Sequence, residues 1–338
     1  MTSGEQDQVA AQVAVDEREV RTAVRAGDAP VAPQAPPMTR RDVYTRPMRG
    51  GRPVAGGPLA ALRRWMRLRL STDLQRRETA VDQRLARIAP MSRPNTIAVV
   101  SPKGGVGKTT LSFVLGNLLA SELHLRVVAL DANPDFGTLA ALAGDEYRSS
   151  RSLADLLADA ARLESPAELH PYVSRLPSGL HILGAPVHAE VMAQVTPGLY
   201  GRLLDLLERF YEVVILDLGS GVTYPLVQFA IERADQSVVV ATPDWVTSTG
   251  VLAALRYLQL DRGALVLNQA PTRRGPAARA AVIEETLGRQ SAAARATIPY
   301  DRRLRTMLDS GTYELAGLPP ATRVPVKELA AAIATGFV

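Results

Sequence analysis

Short runs of Val, Ile and Leu recur along the chain from residue 96 onward, and longer segments with a helical spacing of apolar residues lie between them. The runs are apolar at nearly every position instead of alternating with polar residues. That pattern is typical of strands that are buried on both faces of a parallel sheet. The predicted strands are TIAVV (96–100), RVVAL (126–130), LHIL (180–183), VVILDL (213–218), SVVVA (237–241) and ALVLN (264–268).

The segments between these runs predict helices that connect one strand to the next. Strands that alternate with helices in this way form a mostly parallel sheet with helices on both faces. We therefore predict one α/β domain over residues 94–338, because no internal repeat divides it. The predicted helices cover residues 108–122, 152–161, 198–210, 225–233, 246–258 and 276–287.

The region before this domain has a different composition. Residues 27–58 contain seven prolines and five glycines, which predicts that residues 1–58 form a disordered tail and linker. Residues 59–93 are rich in arginine and show a helical spacing of leucines in two stretches that divide near residue 71. This part of the chain is thus predicted to be a tail followed by an Arg-rich helical segment.

Charge is concentrated in one part of the chain. Fourteen arginines against four acidic residues give residues 38–93 a net charge of +10, whereas residues 94–338 have a net charge of −2. A partner attracted by positive charge is therefore expected to bind the first region. The chain has no cysteine, which excludes disulfides and thiolate metal sites, and its four histidines lack zinc-ligand spacing. No long apolar stretch or secretory signal is visible, so we expect a cytoplasmic protein, with peripheral attachment at the inner face of the membrane as an alternative.

The stretch SPKGGVGKTT (101–110) follows a predicted strand and opens a predicted helix, as a phosphate-binding loop does. Its glycines let backbone N–H groups turn toward an anion at the helix N-terminus. The ordinary loop has a glycine where this chain has Pro102. Two of only three lysines lie here, in a chain with 36 arginines, which favours a phosphate-binding role for both. The predicted nucleotide-binding residues of the loop are Lys103, Gly104, Gly105, Val106, Gly107, Lys108, Thr109 and Thr110.

KGGVGKTT resembles the deviant Walker A loop of the MinD/ParA family of ATPases, whose pattern is K-G-G-x-G-K-[ST]. The resemblance covers roughly residues 95–335, because VVALDANPD, VVILDLGSG, VVVATPD, LVLNQ and IPYD also look like segments of that family. It is greatest to the MinD-like ATPases encoded with type VII (ESX) secretion systems, the EspI-like proteins, which also carry a proline-rich N-terminal region and an arginine-rich stretch. The resemblance implies a P-loop NTPase fold and the cofactors ATP and Mg²⁺.

The resemblance also implies roles for single residues. In that family the first lysine of the loop reaches the phosphates of the partner in a nucleotide-sandwiched homodimer, which assigns that role to Lys103. A hard cation beside phosphate requires oxygen ligands. The implied metal-binding residues are Thr109, Asp131 and Asp217, and the implied catalytic residues are Lys103, Lys108, Asp131 and Asn133. Gly219 corresponds to switch II, Asn268 to the base-contacting asparagine and Pro299 to the lining of the adenine pocket.

One position departs from the family pattern. The motif after the second strand is usually D-x-D-P, with its second aspartate beside the attacking water, but here Asn133 takes that place. An amide can orient a water molecule, but it cannot accept a proton from it. Because phosphoryl transfer depends chiefly on positioning and charge, we expect ATP binding with slow or partner-stimulated hydrolysis. Asp135 is the nearest carboxylate that could substitute.

Several functional interpretations are open at this point. The leading hypothesis is an ATP-dependent dimerising switch in positioning, partitioning or secretion-system regulation, with a protein partner bound by the tail or the dimer surface. Arg63, Arg64, Arg67 and Arg69 could pack on the ATPase domain or contact a protein, an anionic membrane or non-specific DNA. The alternatives are a non-hydrolysing nucleotide-binding scaffold, a DNA-binding ParA-like partition protein and an amidoligase-like enzyme. The lack of cysteine excludes an iron–sulfur reductase.

Overall fold

The computed structural model describes residues 73–133, 137–186, 194–254, 257–258, 262–271, 285, 292–311 and 313–337. Its centre is an eight-stranded sheet with the order β3-β4-β2-β5-β1-β6-β7-β8. Every neighbouring pair is parallel except β3 and β4, which are antiparallel at one edge. The strands are β1 Asn95–Val100, β2 Val127–Ala132, β3 Val173–Arg175, β4 Leu180–Leu183, β5 Val213–Leu218, β6 Gln236–Ala241, β7 Gly263–Ala270 and β8 Ala294–Pro299.

Helices cover both faces of this sheet, which confirms the predicted α/β class. Alternate residues of the central strands belong to two separate apolar cores, because successive side chains of a strand point to opposite faces. One core contains residues of α2, α8 and α9, and the other contains residues of α3, α5, α6 and α7. The helices are α1 at 73–85, α2 Lys108–Leu123, α3 Leu153–Asp159, α4 Pro166–Leu169, α5 Pro197–Phe210, α6 Pro225–Arg233, α7 Trp245–Ala254, α8 Arg302–Ser310 and α9 Pro320–Thr335.

The six strands predicted from apolar runs are all present, whereas β3 and β8 were not predicted. Both lie at the ends of the strand order, so each has a sheet neighbour on one side only. β8 has only Ile298 fully buried among its six residues, and β3 is three residues long, so neither produces a continuous apolar run. α8 and α9 were also missed, and Pro325 inside α9 interrupts its helical signal.

Some sequence-based predictions lie outside the described residues. These are the disordered tail at 1–58, the first Arg-rich helix at 59–70 with its four arginines, Asp135, and all but residue 285 of the helix at 276–287. The second part of the Arg-rich segment is described, and it forms α1. In the described part of the chain, no helix is both long enough and apolar enough to cross a membrane.

α1 packs along α9, the last helix of the chain. Val81 and Leu85 of α1 form a small buried cluster with Ala331 of α9. Ion pairs flank this cluster. Glu78 and Asp82, one turn apart on α1, pair with Arg323 and Lys327, which are one turn apart on α9 in the same order, so the two helices run parallel. The described part of the Arg-rich segment is therefore packed on the α/β domain, whereas the alternatives for Arg63, Arg64, Arg67 and Arg69 concern residues outside the described part. The ion pairs are Arg77–Glu328, Glu78–Arg323, Glu78–Lys327 and Asp82–Lys327.

Gly263 is the first residue of β7, and the backbone of β6 approaches it so closely that there is no space for a side chain. A Cβ atom at this position would lie 1.9 Å from the carbonyl oxygen of Ser237 on β6, the residue that it pairs with. Because the clash is with backbone, we expect Gly263→Ala to lower the free energy of unfolding by roughly 2–4 kcal/mol. The measurement is chemical denaturation. Gly198→Ala is the control, because the nearest atom to its Cβ would be 3.9 Å away. Equal midpoints for the two variants would contradict the register of β6 and β7.

Candidate functional site

The glycine loop joins β1 to α2 at the carboxyl edge of the sheet. β1 lies between β5 and β6, so the loop stands near the middle of that edge, where ligands of open α/β sheets bind. Gly105 and Gly107 adopt left-handed backbone conformations, with φ of 78° and 92°. Residues with a side chain rarely adopt this region, so glycine is required at both positions. The same backbone conformation builds the concave arrays of N–H groups that bind anions.

Two side chains near the carboxyl end of β7 hold the loop in place. Asn268 donates a hydrogen bond from Nδ2 to the Val106 carbonyl oxygen at 2.8 Å, and Gln269 donates one from Nε2 to the Gly105 carbonyl oxygen at 3.4 Å. Gln269 itself has a left-handed backbone, with φ of 57°. Its role was not predicted, although it directly follows Asn268 in the LVLNQ segment. The base-contacting role of Asn268 stays a prediction, and supporting the loop is an additional role.

A cavity of about 550 Å³ opens in front of the loop. Most of the predicted nucleotide-binding residues line it, and α8 forms a further wall that was not predicted. Val106 is buried beneath the loop, and Lys103 is exposed outside the cavity wall. The predicted residues in the wall are Gly104, Gly105, Gly107, Lys108, Thr109, Thr110, Asn133, Asn268 and Pro299. The additional wall residues include Tyr300, Asp301, Leu304, Arg305 and Leu308.

The predicted carboxylates, Asp131 and Asp217, lie side by side on β2 and β5, where they are paired in register. They are 0% and 2% exposed. Burial, and then the charge of Asp217, raise the pKa of Asp131 to about 7, and burial raises the pKa of Asp217 to about 6. The charged forms of this pair are therefore poorly stabilised by the protein alone.

A divalent cation fits this arrangement. It would stabilise both charged carboxylates, and oxygen ligands suit Mg²⁺. The Thr109 hydroxyl is within hydrogen-bonding reach of Asp217, which also accepts a hydrogen bond from Ser112 Oγ at 3.2 Å. Ser112 was not predicted, although its place one helical turn after Thr109 is a usable signal. Asp131 accepts hydrogen bonds from the backbone of Leu139 (2.8 Å) and Asn133 (3.4 Å), which hold its carboxylate beside Asp217.

The two lysines of the loop have different surroundings. Lys108 is half-buried in the cavity wall, and its Nζ lies 3.4 Å from the carbonyl oxygen of Lys103. Burial lowers the pKa of Lys108, while the charge of Asp217 acts in the opposite direction. Lys103 is exposed to solvent, and its side chain makes no contribution to the wall of its own cavity. The loop therefore places one ammonium group inside the site and leaves the other beside it.

Gly107 gives a direct test of the loop geometry. A Cβ atom there would lie 2.4 Å from Asn268 Nδ2, and its positive φ would be strained with any side chain. We expect Gly107→Ala to displace the loop and weaken binding of a fluorescent ATP analogue at least 10-fold, although both lysines remain. Gly198→Ala is the control, since its Cβ would lie 3.9 Å from the nearest atom and Gly198 does not line the cavity. Equal affinities for the two variants would show that the loop does not bind the nucleotide in this conformation.

Comparisons with known proteins agree with this geometry. A family model described as an AAA domain matches residues 94–265, about half of the chain. The ESX-1 secretion-associated protein EspI of Mycobacterium tuberculosis is 29% identical over 249 residues, which cover 71% of this chain. The aligned region is 36% of EspI, so the chain spans about a third of the length of that relative. The match confirms the predicted similarity to EspI-like ATPases.

Solved structures share the fold. A ParA family ATPase from Chlorobium tepidum TLS has a TM-score of 0.59 and 23% identity, and the match covers 70% of this chain and 98% of that one. The septum site-determining protein MinD from Pyrococcus horikoshii OT3, solved with Mg-ADP, has a TM-score of 0.54 and 21% identity, with 70% and 94% covered. The family model, the relatives and the shared fold lead to one conclusion: the chain belongs to the MinD/ParA family of P-loop ATPases.

Proposed function

We propose that this chain binds ATP with Mg²⁺ and then dimerises face to face, with Lys103 of each subunit reaching the nucleotide of the other. The observation that carries this proposal is the difference between the two loop lysines. Lys108 lies in the wall of its own cavity, whereas Lys103 is exposed beside it. A phosphate-binding lysine that lies outside its own site supports a role in a neighbouring subunit.

Exposed apolar side chains next to the loop support the same proposal. Tyr224 follows β5 and is 52% exposed, while Trp245 and Val246 follow β6 and are 76% and 59% exposed. Since β5 and β6 flank β1, these side chains stand on either side of the glycine loop. Exposed aromatic residues of this size are typical of protein interfaces. A second subunit seated on this edge would cover them and close the cavity together.

Within one subunit, the described residues have distinct roles in the proposed reaction. The loop backbone and the Lys108 ammonium group hold the phosphates, and Thr109 and Asp217 would hold Mg²⁺, which neutralises phosphate charge when it is bound. Asn133 lies in the cavity wall, where it can orient a water molecule but cannot take its proton. We infer slow hydrolysis that a partner stimulates. The same residue favours a second candidate, a nucleotide-binding scaffold without turnover.

The proposed cellular role is positioning, partitioning or secretion-system regulation in the cytoplasm. The names of EspI, ParA and MinD support this range of roles. In the proposal the N-terminal tail recruits a protein partner and the nucleotide state controls its release. The arginines Arg63, Arg64, Arg67 and Arg69 precede α1 and are the proposed contact to that partner, with an anionic membrane or non-specific DNA as alternatives.

Lys103 provides the test of the dimer. We expect Lys103→Ala to bind ATP with less than a threefold change in affinity but to remain monomeric with ATP and Mg²⁺, because the lost charge acts on the other subunit. Sedimentation velocity gives the oligomeric state. Trp245 gives a second measurement: in a Trp65→Phe background it is the only tryptophan, so its emission should shift to the blue when ATP buries it. A Lys103→Ala variant that still dimerises with ATP would rule out the face-to-face arrangement.

Asn133 provides the test of turnover. We expect Asn133→Asp to raise the single-turnover rate of ATP hydrolysis roughly 10- to 100-fold, because a carboxylate can accept the proton of the attacking water. Asn133→Ala is the control, and it should hydrolyse ATP no faster than the unmodified chain. ATP affinity should be similar in all three proteins. Fast hydrolysis by the unmodified chain without any partner would contradict the proposed role of this residue.

A further inference from the structure

Asp301 lines the proposed nucleotide cavity, and each of its two carboxylate oxygens accepts a hydrogen bond. Its Oδ1 accepts a hydrogen bond from the backbone N–H of Arg303 at 2.8 Å, which caps the start of α8. Its Oδ2 accepts a hydrogen bond from Thr322 Oγ1 at 2.7 Å. Thr322 is 2% exposed and belongs to the first turn of α9. The position of this cavity wall therefore depends on where α9 begins.

Arg323, the next residue of α9, is bound to α1. Its Nε and Nη2 contact the two carboxylate oxygens of Glu78 at 2.5 Å and 2.9 Å. Its Nη1 donates to the carbonyl oxygens of Ala316 at 3.0 Å and Leu318 at 2.8 Å. One guanidinium group thus fixes three segments relative to each other: α1, the turn at Leu315–Gly317 and the start of α9. Such planar, two-point recognition of a carboxylate is specific to arginine.

The ion pairs between α1 and α9 differ in burial. The side chains of Arg323 and Glu78 are 18% and 16% exposed, whereas those of Arg77 and Glu328 are 54% and 33% exposed. Exposed pairs contribute little to stability, whereas breaking a mostly buried pair leaves an uncompensated charge. Arg77 donates two hydrogen bonds to Glu328, at 3.0 and 2.7 Å, and among the described residues this pair holds α1 away from Thr322 and the turn before α9.

We propose that α1 positions the wall of the nucleotide cavity through Glu78, Arg323, Thr322 and Asp301, so that docking of α1 on α9 and nucleotide binding are linked. The inference rests on the proposed nucleotide-binding function and adds its regulation. Glu78 and Arg323 are positioning residues, because neither lines the cavity. α1 precedes the residues matched by the family model, so the linkage belongs to the N-terminal extension of this chain. A partner bound to the extension would change nucleotide affinity through α1.

Linkage between two binding events is reciprocal, which makes the proposal testable from both ends. If docked α1 strengthens nucleotide binding, the nucleotide must strengthen docking of α1 by the same factor. If Glu78 contributed only to general stability, Glu78→Ala would lower the melting temperature of the protein. The nucleotide would then have no effect on hydrogen exchange in α1. Hydrogen exchange of the α1 amides therefore separates the two interpretations.

The experiment uses the full chain and its Glu78→Ala and Arg77→Ala variants. Titration with a fluorescent ATP analogue should give roughly fivefold weaker binding for Glu78→Ala and unchanged binding for Arg77→Ala. The analogue should slow hydrogen exchange in residues 73–85 of the unmodified chain and of Arg77→Ala, but not of Glu78→Ala. In an Arg323→Ala background, Glu78→Ala should cause no further loss of affinity, because Arg323 is the partner of Glu78 that adjoins Thr322, whereas its second partner, Lys327 at 3.6 Å, lies one turn further along α9.

Three outcomes would overturn the proposal. They are equal affinities of Glu78→Ala and Arg77→Ala, exchange in α1 that does not respond to the nucleotide, and additive effects of Glu78→Ala and Arg323→Ala. Circular dichroism establishes that each variant is folded before it is titrated. If the unmodified chain binds no ATP analogue, the proposed function itself fails. If it binds the analogue and any of the three outcomes occurs, only the linkage fails.

Discussion

The left-handed backbone of the glycine loop, held from behind by Asn268, is the constraint on which the site depends. Gly107 can adopt its conformation only without a side chain, and Asn268 occupies the space that a side chain would need. The loop therefore starts α2 at a fixed place and angle. Lys108, Thr109 and Ser112 then follow on consecutive turns of that helix, close to Asp217 on β5. A single backbone geometry thus sets the proposed phosphate-binding and metal-binding groups together.

Within one subunit, the buried charges of this site are only partly stabilised by the protein. Asp131 and Asp217 are buried next to each other, and the raised pKa of each reflects how poorly the surrounding protein stabilises their charge. A bound metal would relieve that strain. Lys103 is exposed beside the cavity, and Trp245 and Tyr224 expose apolar surface on either side of the loop. Both features are expected of a site that is completed by a ligand and by a second protein surface.

The N-terminal extension is part of the ATPase domain where the structure describes it. α1 covers α9, and the Glu78–Arg323 contact reaches the residue next to Thr322, which holds Asp301 in the cavity wall. The chain of contacts is short, and each member is held on more than one side. This arrangement gives the extension a physical means to respond to the nucleotide, which a flexible attachment to the surface would not provide.

The sequence by itself determined the class of fold, the six central strands and the phosphate loop, because these depend on local patterns. Continuous Val/Ile/Leu runs predict strands buried on both faces, and KGGVGKTT contains its own glycines and lysines.

Only the tertiary structure decided which residues support that loop and line the cavity. Gln269, Ser112 and Asp301 come from β7, α2 and the start of α8, and only the fold brings these three separate segments to one site. The edge strands β3 and β8 were likewise decided by pairing, since β3 has only three residues and β8 is mostly half-exposed, so neither has a continuous apolar run. The docking of α1 depends on partners about 245 residues away, such as Arg323 for Glu78, and contacts at that separation arise only when the chain is folded.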